Sequence, residues 1–301
     1  MRVPFPVLLS VVTIGSLLLT GCQPDPIHFD DNPIPHYDGV PTVIVDAYLT
    51  RVFIDLIGRE PLTEELTTER AALREGNLLL DSRLELVDRL MGADTSYLPF
   101  YQRKLSNDLS GRFLDGASWE SMEGEVEFLR GLAAQDSLQG NLSGYVYHTD
   151  LAERMQAALD GVEAWGNAEI AWREVCKRYC YNTFYDDLNM NSFNFIHATF
   201  DDLFGRNPTE AEFEQAYAAV EYSSPAVLMG SSILNKEEFL MALVQDSEFD
   251  EGAIRWWGEH LLIRPITTAE VSAWRTLVGP SVNIQALQRI LITSDEYADF
   301  E

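Results

Sequence analysis

The side chains with the most distinctive chemistry in this sequence are its three cysteines, Cys22, Cys176 and Cys180. The last two lie in Arg173-Glu-Val-Cys-Lys-Arg-Tyr-Cys-Tyr181. A spacing of four puts them on one helix face, about 6 Å apart at a rise of 1.5 Å per residue. That separation is within disulfide range, but a regular helix aims the two side chains unfavourably. Two buried thiols, or a disulfide at a helix end, are the readings this spacing supports. Lys177 and Arg178 could lower a thiol pKa and make the pair redox-active. A zinc site needs about four ligands, and neither His148 nor His197 has ligand spacing to the cysteines. The segment Asp187-Leu-Asn189-Met-Asn191-Ser-Phe-Asn194 begins like a calcium loop. It departs at its sixth position, Ser192 in place of glycine, and at its twelfth, Ala198 in place of a bidentate glutamate. A polar turn before a helix accounts for the same residues.

Catalytic signatures are missing. The chain holds no H-E-x-x-H, G-x-S-x-G, G-x-x-x-x-G-K-[ST] or G-x-G-x-x-G. With 48 acidic residues, a glycosidase-type carboxylate pair is neither identified nor excluded. Trp256, Trp257 and Trp274 could stack on a sugar, but on helices they serve equally as core anchors. His197 and His260 read as packed or capping residues, and His28 and His36 as solvated ones. A net charge of −27 argues against nucleic acid, whose phosphates require Lys and Arg clusters. It argues equally against an anionic lipid surface as partner of the folded part. A hydrophobic fraction of 46% with six Trp is ample for a packed core.

The positioning elements begin at the N-terminus. Arg2 precedes an apolar run, Val7 to Leu19, too short for a permanent membrane span of about 20 residues and suited to an export signal. It closes on Leu19-Thr20-Gly21-Cys22, which resembles the lipobox of bacterial lipoproteins. The resemblance implies cleavage after Gly21 and a lipid on the Cys22 thiol. Gln23 stands where inner-membrane lipoproteins typically carry aspartate, which implies the outer membrane. Residues 22–41 hold five prolines and read as an extended tether.

An internal repeat follows. Residues 52–66 (VFIDLIGREPLTEEL) and 199–213 (TFDDLFGRNPTEAEF) share Phe53/Phe200, Asp55/Asp202, Leu56/Leu203, Gly58/Gly205, Arg59/Arg206, Pro61/Pro208 and Glu65/Glu212. A third copy, from His260 through Arg264, Pro265 and Glu270, lacks the glycine. The motif predicts a helix–turn–helix joint. Asp55 and Arg59, like Asp202 and Arg206, could pair across one helix turn. Gly58 and Gly205 suit left-handed C-caps, Asn207 an N-cap, and Pro208 the first helical position. Thr267 and Glu270 have capping-box spacing. A third helix completes each unit: Leu86, Val87, Leu90 and Met91 in the first copy; Phe239, Leu240, Leu243 and Val244 in the second; Leu287, Ile290 and Leu291 in the third. Tyr97, Phe249 and Tyr297 follow in turn. Between the copies, Val126–Leu132 and Met155–Val162 read as helix, Asp115-Gly116 and 137–144 as turns, and Tyr145–Tyr147 as one short strand.

Asp55 to Leu66, followed by Leu86–Met91, resembles an uncharacterised helical domain family that accompanies cytochrome-like modules in envelope proteins of planctomycetes and related marine bacteria. Ser294-Asp-Glu-Tyr297 is similar to the element that closes short helical repeats of bacterial surface proteins. These resemblances imply an envelope location and an interaction role, and carry over no catalytic residue or cofactor. The expectation is a mainly α protein: signal peptide 1–21, tether 22–41, repeat units 42–105, 188–250 and 251–301, and a helical insertion 106–187, packed as one or two domains. Its expected role is a lipid-anchored, non-enzymatic scaffold or binding module with an envelope protein partner. The alternatives are a carboxylate-based hydrolase and a redox accessory using Cys176 and Cys180.

Overall fold

The computed structural model describes residues 37, 39–92, 95–279 and 281–300; the expected export signal, Cys22 and most of the expected tether lie outside them. The first unit opens with α1 (Thr42–Ile57), whose Val45, Leu49, Val52, Phe53 and Leu56 recur every three or four residues and are fully buried. Helix α2 (Thr63–Glu75) and α3 (Leu80–Met91) follow. The insertion then supplies α4 (Leu98–Phe113), α5 (Trp119–Gln139), α6 (Leu142–Leu159), α7 (Gly161–Gly166), α8 (Trp172–Cys180) and α9 (Thr183–Asn189).

The second unit comprises α10 (Ser192–Phe204), α11 (Glu210–Tyr222) and α12 (Lys236–Gln245). Between the last two lies an antiparallel hairpin, β1 (Ala226–Leu228) and β2 (Ser231–Ile233), with Val227 opposite Ser232. The third unit comprises α13 (Ser247–Leu262), α14 (Thr268–Val278) and α15 (Ile284–Ile292), closed by the short α16 (Asp295–Ala298). The architecture is mainly α, and residues 37–301 form one compact unit.

Both ends of this unit meet. The Tyr297 hydroxyl donates to Asp55 at 2.7 Å, and the Tyr37 hydroxyl donates to Asp295 at 2.8 Å. Arg83, almost wholly buried, pairs with the same Asp295 at 2.8 Å. Behind them the Tyr101 hydroxyl donates to Gln288 at 2.6 Å, linking α4 to α15. The third unit is thus packed onto the first, and the insertion fills the space between the first and the second.

Each joint is locked by a fork that sequence spacing alone places wrongly. Arg59 and Arg206 do not pair with Asp55 and Asp202. The chain leaves the helix in the left-handed region at Gly58 (φ 75°) and Gly205 (φ 70°), which carries the arginine past the helix end. Arg59 instead donates twice to Glu65, both at 2.7 Å, and Arg206 twice to Glu212, both at 2.8 Å. Arg264 grips Glu270 in the same way, at 2.6 and 3.3 Å. The glutamate's second task is to accept the backbone amide of the next helix's N-cap, Leu62, Thr209 or Thr267. Thr209 and Thr267 complete capping boxes; Leu62 has no side-chain acceptor. Thr209, not Asn207, is therefore the cap of α11, and Pro208 sits before it in the turn.

A second carboxylate reaches two of the arginines from the end of the unit: Glu248 to Arg206 and Glu296 to Arg264. The first copy has Ser96 at that place, and the Tyr97 hydroxyl donates to Glu65 at 2.9 Å instead. These contacts hold Glu65, Glu212 and Glu270 down to about 2, with the arginine hydrogen bonds as the largest cause. Their stabilisation is present above the unfolded pKa near 4.3 and is lost as pH falls toward 2.

Two elements of the insertion differ from expectation. Tyr145–Tyr147 belongs to α6 and is no strand, because the flanking pattern continues at helical spacing to Ala152 and Met155, both buried. The turn expected over 137–144 shrinks to Gly140, left-handed at φ 71°, and Asn141, which caps α6 by accepting from Gly144.

In the third joint Ile263 occupies the left-handed position, at φ 55°, that glycine holds in the other two. A β-branched residue pays roughly 1–2 kcal/mol there, and Ile263 is 80% exposed, so its side chain returns little by burial. Glycine gives back part of this through its freer unfolded chain. Ile263→Gly is expected to raise stability by about 0.5–1 kcal/mol, read as a higher urea midpoint at unchanged slope.

Candidate functional site

Where α4, α10 and α13 converge, a cleft of about 340 Å³ is lined by Arg112, Asp201, Asp202, Arg255, Trp256 and Glu259, among others. Close approach makes it: at Gly252 a Cβ would lie 2.1 Å from the Leu203 carbonyl oxygen, so only glycine lets α13 cross α10 here. Arg112 comes from the last turn of α4. Its Nη2 donates to the Asp202 carbonyl, and its guanidinium lies over Trp256, 4.8 Å from the ring centroid. Its Nε and Nη1 are buried without an acceptor among the described residues. Trp256 stacks in turn on His260, with centroids 4.8 Å apart and planes 9° apart. His260 Nε2 lies 3.4 Å from Asp108, which also takes Lys104 at 2.5 Å.

Asp202 is the titratable centre. The Tyr185 hydroxyl donates to it at 2.6 Å. Burial pushes its carboxyl up to about 6, against the opposing pull of that hydrogen bond and of Arg112. Burial likewise draws the Arg112 guanidinium below its usual value, although it stays charged. A carboxyl near 6 can give or take a proton near neutrality. Beside a partly unsatisfied guanidinium and an indole face, it could also orient a small planar or hydroxylated ligand.

The expected chemical candidates scatter differently. Cys176 and Cys180 are both free in this structure, on consecutive turns of the regular helix α8 and fully buried. Burial pushes Cys176 up to about 12 and Cys180 well above its usual value. Lys177 and Arg178 do not activate them, because they turn to Glu174 instead. The residues that began like a calcium loop serve helix ends: Asn191 accepts from Asn194 as cap of α10, and Asn189 donates to the Tyr185 carbonyl. Among the described residues no group of three or more His, Cys, Asp or Glu could hold a metal ion. Trp257 is fully buried as a core anchor, whereas Trp256 faces the cleft. His197 packs between Phe193 and Phe213, as a packed histidine does.

Repeat-motif residues divide between two tasks. Gly58, Arg59, Pro61, Gly205, Arg206 and Pro208 build joints, while Asp55 and Asp202 each accept a tyrosine hydroxyl. Arg112 is the residue that spacing did not single out. A signal for it exists: Asp108-Leu-Ser-Gly-Arg112 echoes Asp55-Leu-Ile-Gly-Arg59 and Asp202-Leu-Phe-Gly-Arg206. It lacks the following proline, and Gly111 stays inside α4. The arginine therefore turns inward.

No family model, curated protein or solved structure matches this chain.

Asp202 should leave a mark on pH dependence. Its folded pKa lies above the unfolded value near 3.9, so the folded state holds the proton longer and stability falls as pH rises from about 4 to 6. The full cost is at most about 3 kcal/mol. Asp202→Asn removes this titration. Its stability relative to the parent is expected to rise by about 1–3 kcal/mol between about pH 4 and pH 7, measured by urea unfolding at each pH.

Proposed function

We propose that this protein is a lipid-anchored component of the cell envelope that acts without catalysis, as a scaffold or binding module held at the outer membrane. The observation that carries the reading is Leu19-Thr20-Gly21-Cys22 at the close of a short apolar run. The joints agree with it. Arg59, Arg206 and Arg264 spend their charges on intramolecular forks, and the buried thiols are held protonated. A rigid helical body presented on a tether is what such a role needs. Expressed with its own signal in a bacterium, the protein is expected to incorporate labelled palmitate and to enter the detergent phase. Cys22→Ser should abolish both; label retained in that variant overturns the reading.

A second reading, a carboxylate hydrolase, is favoured by one observation, the Asp202 carboxyl near 6 in a cleft that also contains Glu259 and Trp256. It requires turnover of a glycan substrate that Asp202→Asn reduces at least a hundredfold, roughly the low end for a general acid. Turnover unchanged in the variant, or absent in the parent, removes this reading.

A further inference from the structure

The α5–α6 hairpin stands away from the body of the protein. Its base joins the main core through Met122, Val126, Met155 and Leu159. Beyond Val126 its buried side chains, Leu129, Ala133 and Ala152, pack within the hairpin and outside that core. From Val126 to the end of α5 at Gln139 the helix runs about 20 Å at 1.5 Å per residue. The apex is held together by Asp136, which accepts from Asn141 at 2.8 Å and meets His148 Nδ1 at 2.8 Å.

This apex is unlike the rest of the surface. In a chain with 48 carboxylates over 301 residues, the stretch from Gly131 to Thr149 contains Asp136 alone and no Lys or Arg. That one carboxylate is engaged within the hairpin. Around it, Leu138 is 90% exposed, Leu142 73%, Val146 59% and Tyr147 59%. Leu138 and Leu142 beside the turn, with Tyr145, Val146 and Tyr147 about one helical turn behind, is the order of residues that an apolar–water boundary selects.

We infer that the tip of the α5–α6 hairpin inserts into the interface of a lipid bilayer, as a second, protein-borne contact beside the acyl chain. The inference rests on the lipid-anchored reading of Cys22. Three considerations favour a bilayer over a protein. The patch is the side chains of Leu138, Leu142, Tyr145, Val146 and Tyr147, against the roughly 20–30 residues a side of a stable protein interface; insertion requires no matching surface. A net charge of −27 makes two copies repel, and the tip is where the chain is stripped of that charge. The chain outside the described unit also permits it. Residues 23–36 span at most about 50 Å, so an anchored Cys22 keeps the start of the folded unit, Tyr37, within that distance of the membrane.

The test uses the chain from residue 23 onward, which has no acyl acceptor at Cys22 and keeps the compact unit formed by residues 37–301. Flotation with phosphatidylcholine vesicles is expected to carry the protein, and added phosphatidylglycerol to weaken binding because the acidic body is repelled. The exposed triple variant Leu138→Ser, Leu142→Ser, Val146→Ser should lose at least tenfold in partitioning at an unchanged unfolding midpoint. In a Tyr147→Trp variant the new fluorescence should shift to the blue and be quenched by brominated lipid. Equal partitioning of parent and triple variant, no partitioning at all, or a dimer in solution that the triple variant dissolves would each overturn the inference. Palmitate labelling at Cys22 reports on the anchor separately, so loss of one result leaves the other readable.

Discussion

Three arginine forks, Arg59 to Glu65, Arg206 to Glu212 and Arg264 to Glu270, hold the angles on which the rest of the structure depends. An isolated surface ion pair is worth little, a median of about 0–1 kcal/mol. These differ because each glutamate also terminates an unsatisfied helix, accepting the N-cap amide that would otherwise face water unpaired. Two-pronged geometry fixes the direction of the incoming helix as well as its distance. Apolar burial supplies the bulk of the stability, and its ridges and grooves leave crossing angles a scatter of about 15–20°. The forks narrow it.

With those angles set, the three units and the insertion can share one core. The third unit reaches the first through Tyr297 on Asp55 and Arg83 on Asp295. The insertion reaches the second through Arg112 on the Asp202 carbonyl and Tyr185 on its carboxylate. Asp55 and Asp202 hold the same place in the repeat, and each receives a tyrosine from elsewhere in the chain. The repeat therefore offers an acceptor at a fixed point, and distant segments dock on it. At Asp202 the docking leaves a cleft.

How much of this was legible in the sequence follows from the range of the interactions. Helices such as α1 and α15 were readable because their apolar spacing is local, and Gly58, Gly205 and the Thr267–Glu270 box because caps are decided within a few residues. The partner of Arg59 was misplaced because helix-surface spacing assumes the helix continues, and Gly58 ends it one residue earlier. Glu248 and Glu296 lie 42 and 32 residues from their arginines, beyond any local rule. The cleft was invisible for the same reason. Its residues come from α4, α10 and α13, and the tight crossing at Gly252 that shapes it has no sequence signature beyond the glycine itself. Tyr145–Tyr147 misled because three residues cannot distinguish alternation from a helix face when the apolar side chains point outward.

Helix α13 belongs to two units at once. Its first turn supplies Glu248 and Phe249, which close the second unit, and its far end leads into Arg264, which opens the third. A shared element of this kind makes the chain directional and indivisible from that point on. Cutting the chain between the units would take from Arg206 its second carboxylate and from the core a buried phenylalanine, so no boundary here is clean. The second and third units share this helix, and neither can be exchanged, duplicated or transplanted without carrying part of the other along.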